Sequence, residues 1–165
     1  MPAADGPLPA DWRRALQRFA AAIPHTRDLG LEVLEAGPDG VHLCLPWQDD
    51  LLGDEVRGLV HGGLLTMLLD TACGSAVLPA LPEPEVCPTL DLRLDHFRPA
   101  VAGRAIHAEA RAVSVSASVV FTEGTLWQQA GRPVARGIAN FARLGPRNTP
   151  PGFKAALFAG EDDHG

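Results

Sequence analysis

A chain of 165 residues, 46% hydrophobic and 21% charged, is long enough for one domain with a continuous core, and this composition excludes a disordered or fibrous protein. Twenty acids against fourteen lysines and arginines leave a net charge of −6, which argues against nucleic acid as a partner, because phosphate neutralisation needs a basic face. Three cysteines, Cys44, Cys73 and Cys87, cannot all pair and read as small buried hydrophobes; with no basic and apolar leader in residues 1–12, a cytoplasmic location off the membrane is expected.

Residues 1–10 hold three prolines among small residues and read as a disordered lead-in. Asp11 then offers an N-cap, and Trp12, Ala15, Leu16, Phe19 and Ile23 recur at helical spacing until Pro24 stops the pattern. Residues 29–36 and 41–45 alternate around Gly37-Pro38-Asp39-Gly40, a hairpin signal. Residues 46–58 form a polar loop that delivers the chain to a run almost without a polar face, VHGGLLTMLLDTACGSAVL. A helix apolar all round must be buried, and the carboxylate of Asp70 in its middle makes it a poor membrane span. The central helix is therefore expected at about 61–78.

A proline-rich link over 79–88 leads to TLDLRLDHF, where Leu90, Leu92 and Leu94 alternate with Asp91, Arg93 and Asp95, as in a strand with one buried face. Residues 104–114, 118–127 and 133–144 supply three more strands, joined by short links that favour an antiparallel meander. The tail over 145–165 begins Gly-Pro and can dock a short helix at 153–158, with a mobile end. The fold class is α+β: a sheet of about six antiparallel strands around one buried helix, in a single domain over 11–144.

Two features of the central helix carry chemistry. His61-Gly62-Gly63 opens it, and the free N–H groups of a helix start suit a polarised carbonyl oxygen, although on their own the glycines are better explained by a tight entry turn with close helix packing. Asp70 lies nine residues after His61. It is either a general base or nucleophile in a cleft, or half of an ion pair with Arg93. His42, Cys44, His96 and His107 lack metal-ligand spacing, so no metal is expected.

His-Gly-Gly, the apolar run, Leu-Asp-Thr-Ala at 69–72, Thr-Leu-Asp-Leu at 89–92 and Phe-Arg-Pro-Ala at 97–100 follow in order. Together they resemble the hotdog-fold acyl-CoA thioesterases of the phenylacetate-pathway (PaaI-like) type. The resemblance covers about residues 29–143 and implies the residues' roles. Asp70 matches the catalytic acid, and Gly62 the backbone N–H that polarises the thioester carbonyl. His61 and Gly63 shape the start of the helix, and Thr89 matches a hydroxyl that orients the water. Arg57 and Arg98 stand where cations can meet coenzyme A phosphates. The resemblance further implies a homodimer with its site between subunits, often doubled to a homotetramer, and no cofactor beyond the coenzyme A of the substrate.

Two departures from the pattern stand out. Glu55 replaces an Asn that many members carry six residues before the motif histidine, and a carboxylate cannot donate the same hydrogen bond. Thr89 also falls on the opposite strand face from Leu90, Leu92 and Leu94, so it reaches the helix only if a bulge re-aims it. An acyl-CoA-binding module without chemistry and a hotdog enoyl-CoA hydratase are the alternative readings.

Overall fold

The structure, a computed structural model, describes residues 11–159; the lead-in expected over 1–10 and the end of the tail lie outside the described residues. Asp11 caps α1 (Trp12–Ala22), its carboxylate accepting the Arg14 N–H at 3.0 Å. Trp12, Ala15, Leu16 and Ala20 are buried. Pro24 does more than stop α1: its fixed φ and missing N–H suit the first turn of a second helix, α2 (Pro24–Asp28). That extra turn moves the first strand back, so β1 is Glu32–Gly37 and pairs with β2 (Gly40–Leu45). Gly40, at φ +144, passes so close to the Ala110 carbonyl that a Cβ would meet it at 2.7 Å.

The polar loop expected over 46–58 is partly folded. β3 (Leu52–Asp54) and β4 (Leu59–Val60) form a two-stranded ribbon, too short for any alternation to show in sequence. Gly53 lies against His61, whose Cα would be 2.6 Å from a Cβ there.

α3 (Gly62–Ala80) buries Leu65, Leu68, Leu69, Ala72, Cys73 and Ala76 among others, and it runs past its expected end because Pro79 sits in the last turn, where losing one N–H bond is tolerated. By length and composition it is apolar enough to cross a membrane, yet 56% of the window that passes that test is buried in the domain, which makes it the core helix. One stripe stays open: Gly62, Gly63 and Thr66 are exposed, while Asp70, Thr71 and Gly74 are half-buried.

After the link come β5 (Thr89–His96), β6 (Ile106–Val115), β7 (Val119–Gln129), β8 (Arg132–Ala142) and α4 (Phe153–Phe158). The six-stranded antiparallel sheet has the order β1-β2-β6-β7-β8-β5. Only β6, β7 and β8 form a meander; β5 precedes them in sequence but closes the far edge beside β8. The paired glycines Gly124 and Gly137 leave a notch for Leu69, whose two methyl carbons lie 2.7 Å and 2.5 Å from where their Cβ atoms would be. This contact sets how deeply α3 sits on the sheet.

The two sheet edges differ. Along β1, Gln17 of α1 accepts from Val33 N–H at 2.7 Å and donates to the Leu31 carbonyl at 3.0 Å, and Arg13 donates to the Val33 carbonyl at 3.3 Å. α4 docks on α1 through Trp12–Phe158 and Phe19–Phe153 edge contacts with ring centroids 5.1 and 6.2 Å apart. Among the described residues, nothing hydrogen-bonds to the outer edge of β5.

Candidate active site

The acid on the open stripe is held by a hydroxyl. Thr89 Oγ1 donates to Asp70 Oδ1 at 2.9 Å. Strand alternation alone would point Thr89 away from the helix, and a bulge corrects it. Thr89 pairs with Phe141 and Asp91 with Asn140, so Leu90 is the extra residue. Phe141 is buried, with its ring against Gly74 of α3, and a residue paired with it faces the same way. The correction costs the expected burial of Leu90, which is 60% exposed, while Leu92 and Leu94 pack on the core.

The Asp70–Arg93 ion pair is not formed. Arg93 lies on the outer face of the sheet and meets Asp95 at 3.2 Å. Among the described residues Asp70 has no cationic partner. Cys73, one turn further along α3, is no rival nucleophile: burial pushes its thiol up to about 11, so it is protonated at neutral pH.

At the helix start, His61 is the N-cap, and its Nδ1 accepts the Gly63 N–H at 3.0 Å. In the neutral ring that acceptor role leaves the proton on Nε2. The Gly62 N–H makes no hydrogen bond to the described residues. The other expected site residues are dispersed. Glu55 is exposed in the β3–β4 turn, Arg57 pairs with Asp54 at 3.5 Å, and Arg98 donates to the Pro133 carbonyl. One residue that sequence spacing did not single out lies here as well: the His96 ring at the end of β5 has its Cε1 4.0 Å from where a Gly62 Cβ would be. It was open to detection only through the pairing of β5 with β8, which carries its last residue over the helix start. A surface depression lies elsewhere, on the outer sheet face between Glu35, Arg93, Arg111 and Arg136, and does not include Asp70.

Comparison with known proteins bears on the fold and the family. The sequence profile of the thioesterase superfamily matches residues 57–135, from the turn before β4 into β8. The crystal structure of a Pseudomonas aeruginosa protein is 37% identical and superposes with a TM-score of 0.73, covering 81% of this chain and 99% of that one. Over residues 57–135 the chain is similar to the thioesterase superfamily. Its fold is the hotdog fold of that superfamily, the sheet wrapped around the single long helix α3. A second crystal structure, described as a thioesterase superfamily protein, is 29% identical with a TM-score of 0.74 over 81% of this chain and 98% of that one. A Halobacterium salinarum protein provisionally named an esterase is 38% identical over 98 residues, 58% of this chain and 64% of that protein, so the match spans just under two thirds of that relative's length.

Proposed function

We propose that this protein is a member of the thioesterase superfamily and a hydrolase of acyl-CoA thioesters, of the PaaI-like type, working as a homodimer. The observation that carries the reading is an acid held by a hydroxyl on the open stripe of a helix whose first N–H has no partner among the described residues. Eight residues separate Gly62 from Asp70, about 12 Å along a helix, too far for one chain to bind a carbonyl at one group and activate its water at the other. A second copy resolves this. β1 is plugged by α1 and β5 is open, so two copies pair through β5. Antiparallel pairing then sets the Gly62 end of one protomer against the Asp70 end of the other.

In that composite site Asp70 takes a proton from water as the water oxygen bonds to the thioester carbon. The carbonyl oxygen becomes an oxyanion at the partner subunit's Gly62 N–H. Collapse of the tetrahedral intermediate breaks the C–S bond, and the proton passes from Asp70 to the departing thiolate, leaving the free acid and coenzyme A. Thr89 fixes the orientation of the Asp70 carboxylate. Arg57 and Arg98, both exposed, offer cations to the coenzyme A phosphates. Cys44, Cys73 and Cys87 are all free thiols, which suits the reducing cytoplasm.

The test is thiol release from short, medium, long and aryl acyl-CoAs by the wild type and by Asp70→Asn. The reading expects turnover of at least one class and its loss in the variant. No turnover on any of them, or full activity in Asp70→Asn, overturns it; tight acyl-CoA binding without thiol release would establish the binding-module alternative.

A further inference from the structure

The start of α3 has one donor to spare. Gly63 N–H is taken by the His61 ring and Leu64 N–H by the His61 carbonyl, each at 3.0 Å, so of these first three amides only that of Gly62 is free among the described residues. The tetrahedral oxyanion of acyl transfer is held best by more than one donor placed in advance, and each is worth a large factor in rate. Glu55 cannot provide the second, since an ionised carboxylate only accepts.

The side chain that comes nearest to Gly62 from outside α3 and its chain neighbours is that of His96. Cε1, the ring atom 4.0 Å from the Gly62 Cβ position, is bonded to both ring nitrogens, so either tautomer presents an N–H on one side of it. His96 is the last residue of β5, its backbone fixed opposite Ala135, while its side chain is exposed and makes no hydrogen bond to the described residues. Because residue 62 has no side chain, its Cβ position is empty, and outside its chain neighbours and its own helix backbone the nearest atom to that position is His96 Cε1.

We infer that the imidazole N–H of His96 is the second donor to the thioester carbonyl, beside the Gly62 N–H of the same protomer. His96 is then a catalytic residue outside the helix-opening motif. The inference rests on the thioesterase reading above and adds the component that Glu55 does not supply. The antiparallel dimer carries His96 with Gly62 to the Asp70 of the other protomer, so the oxyanion donors come from one chain and the base from the other.

The experiment is steady-state hydrolysis, by the full chain, of the acyl-CoA that wild type turns over best, with His96→Ala, His96→Gln and Asp70→Asn in parallel. His96→Ala should lose on the order of 100-fold in kcat with KM little changed and an unaltered melting curve. His96→Gln, which keeps an N–H donor, should recover part of the loss, as should imidazole added to His96→Ala. If His96→Ala matches wild type while Asp70→Asn is inactive, the His96 inference falls and the thioesterase reading stands. A loss in His96→Ala that tracks a lowered melting temperature, with no recovery by Gln or imidazole, also overturns it. Absence of thiol release by wild type overturns both.

Discussion

Gly137→Ala should damage this protein far more than Gly124→Ala, although the two glycines face each other across β7 and β8 and both receive Leu69. A Cβ at 137 would meet the Arg93 carbonyl oxygen at 2.1 Å as well as Leu69 Cδ2 at 2.5 Å, and a backbone oxygen cannot turn aside. A Cβ at 124 meets Leu69 Cδ1 at 2.7 Å first, the far end of a side chain that can rotate. Overpacking of the first kind costs about 3 kcal/mol or more, roughly 6 to 12 °C in Tm for a domain of this size, and of the second about 1 to 2 kcal/mol. Leu69→Ala alone should cost about 2 to 5 kcal/mol through its cavity. In Gly124→Ala/Leu69→Ala the added methyl occupies part of that cavity, so the double variant should be about 1 to 2 kcal/mol more stable than the sum of the singles. Gly137→Ala/Leu69→Ala should gain much less, because the Arg93 carbonyl remains in the way. Urea unfolding of all five variants measures these terms. A Gly137→Ala within about 0.5 kcal/mol of wild type, or one rescued by Leu69→Ala as fully as Gly124→Ala, refutes this account of the notch.

Further outcomes follow from the same coordinates. Thr89→Val should lower kcat about 5- to 10-fold through the missing hydroxyl donor to Asp70, discounted for exposure of the pair, while Thr89→Ser stays near wild type; the acyl-CoA assay measures both. Gly53→Ala places a methyl against the His61 backbone, so kcat/KM should fall by a larger factor than the folding constant, as kinetics beside a thermal melt will show. His107 is held below its ordinary pKa, first by burial and then by His42, whose Nε2 lies 3.1 Å from its Nδ1, against an opposing pull from Glu109. The unfolded chain therefore binds this proton more readily. Stability contributed here is complete above about pH 6.5 and declines as the pH falls through the lowered value in the fold, and His107→Gln should flatten that slope in melts taken between pH 5 and 8.

The sequence disclosed its elements better than their arrangement. Asp11 and the spacing of Trp12, Ala15 and Leu16 placed α1, and an apolar run interrupted by Asp70 alone placed α3, because capping and helical periodicity are local. Pro24 does end α1 as expected, but it also opens α2, because its missing N–H is harmless in a first turn, and Pro79 does not end α3, because in the last turn it costs only one hydrogen bond. Leu90 was expected in the core because strict alternation assumes an unbroken ladder. Whether a bulge interrupts it depends on β8, some forty residues further along the chain. His96 was considered only for metal-ligand spacing, and no linear pattern could relate it to Gly62. Likewise the position of β5 at the far edge is decided by which strands pair, a property of the closed sheet and not of any one segment.

The plugging of β1 by Arg13 and Gln17 bears on what concentrated solutions of this protein will do. A sheet open at both ends is a template that can add copies indefinitely, the geometry of fibres, whereas a sheet open at one end is consumed by a single two-fold encounter and then presents no further edge. At Val33, two side chains of an amphipathic helix thus occupy both backbone groups that an added strand would need. Losing Gln17 would uncover the Val33 N–H and the Leu31 carbonyl at an edge remote from Asp70.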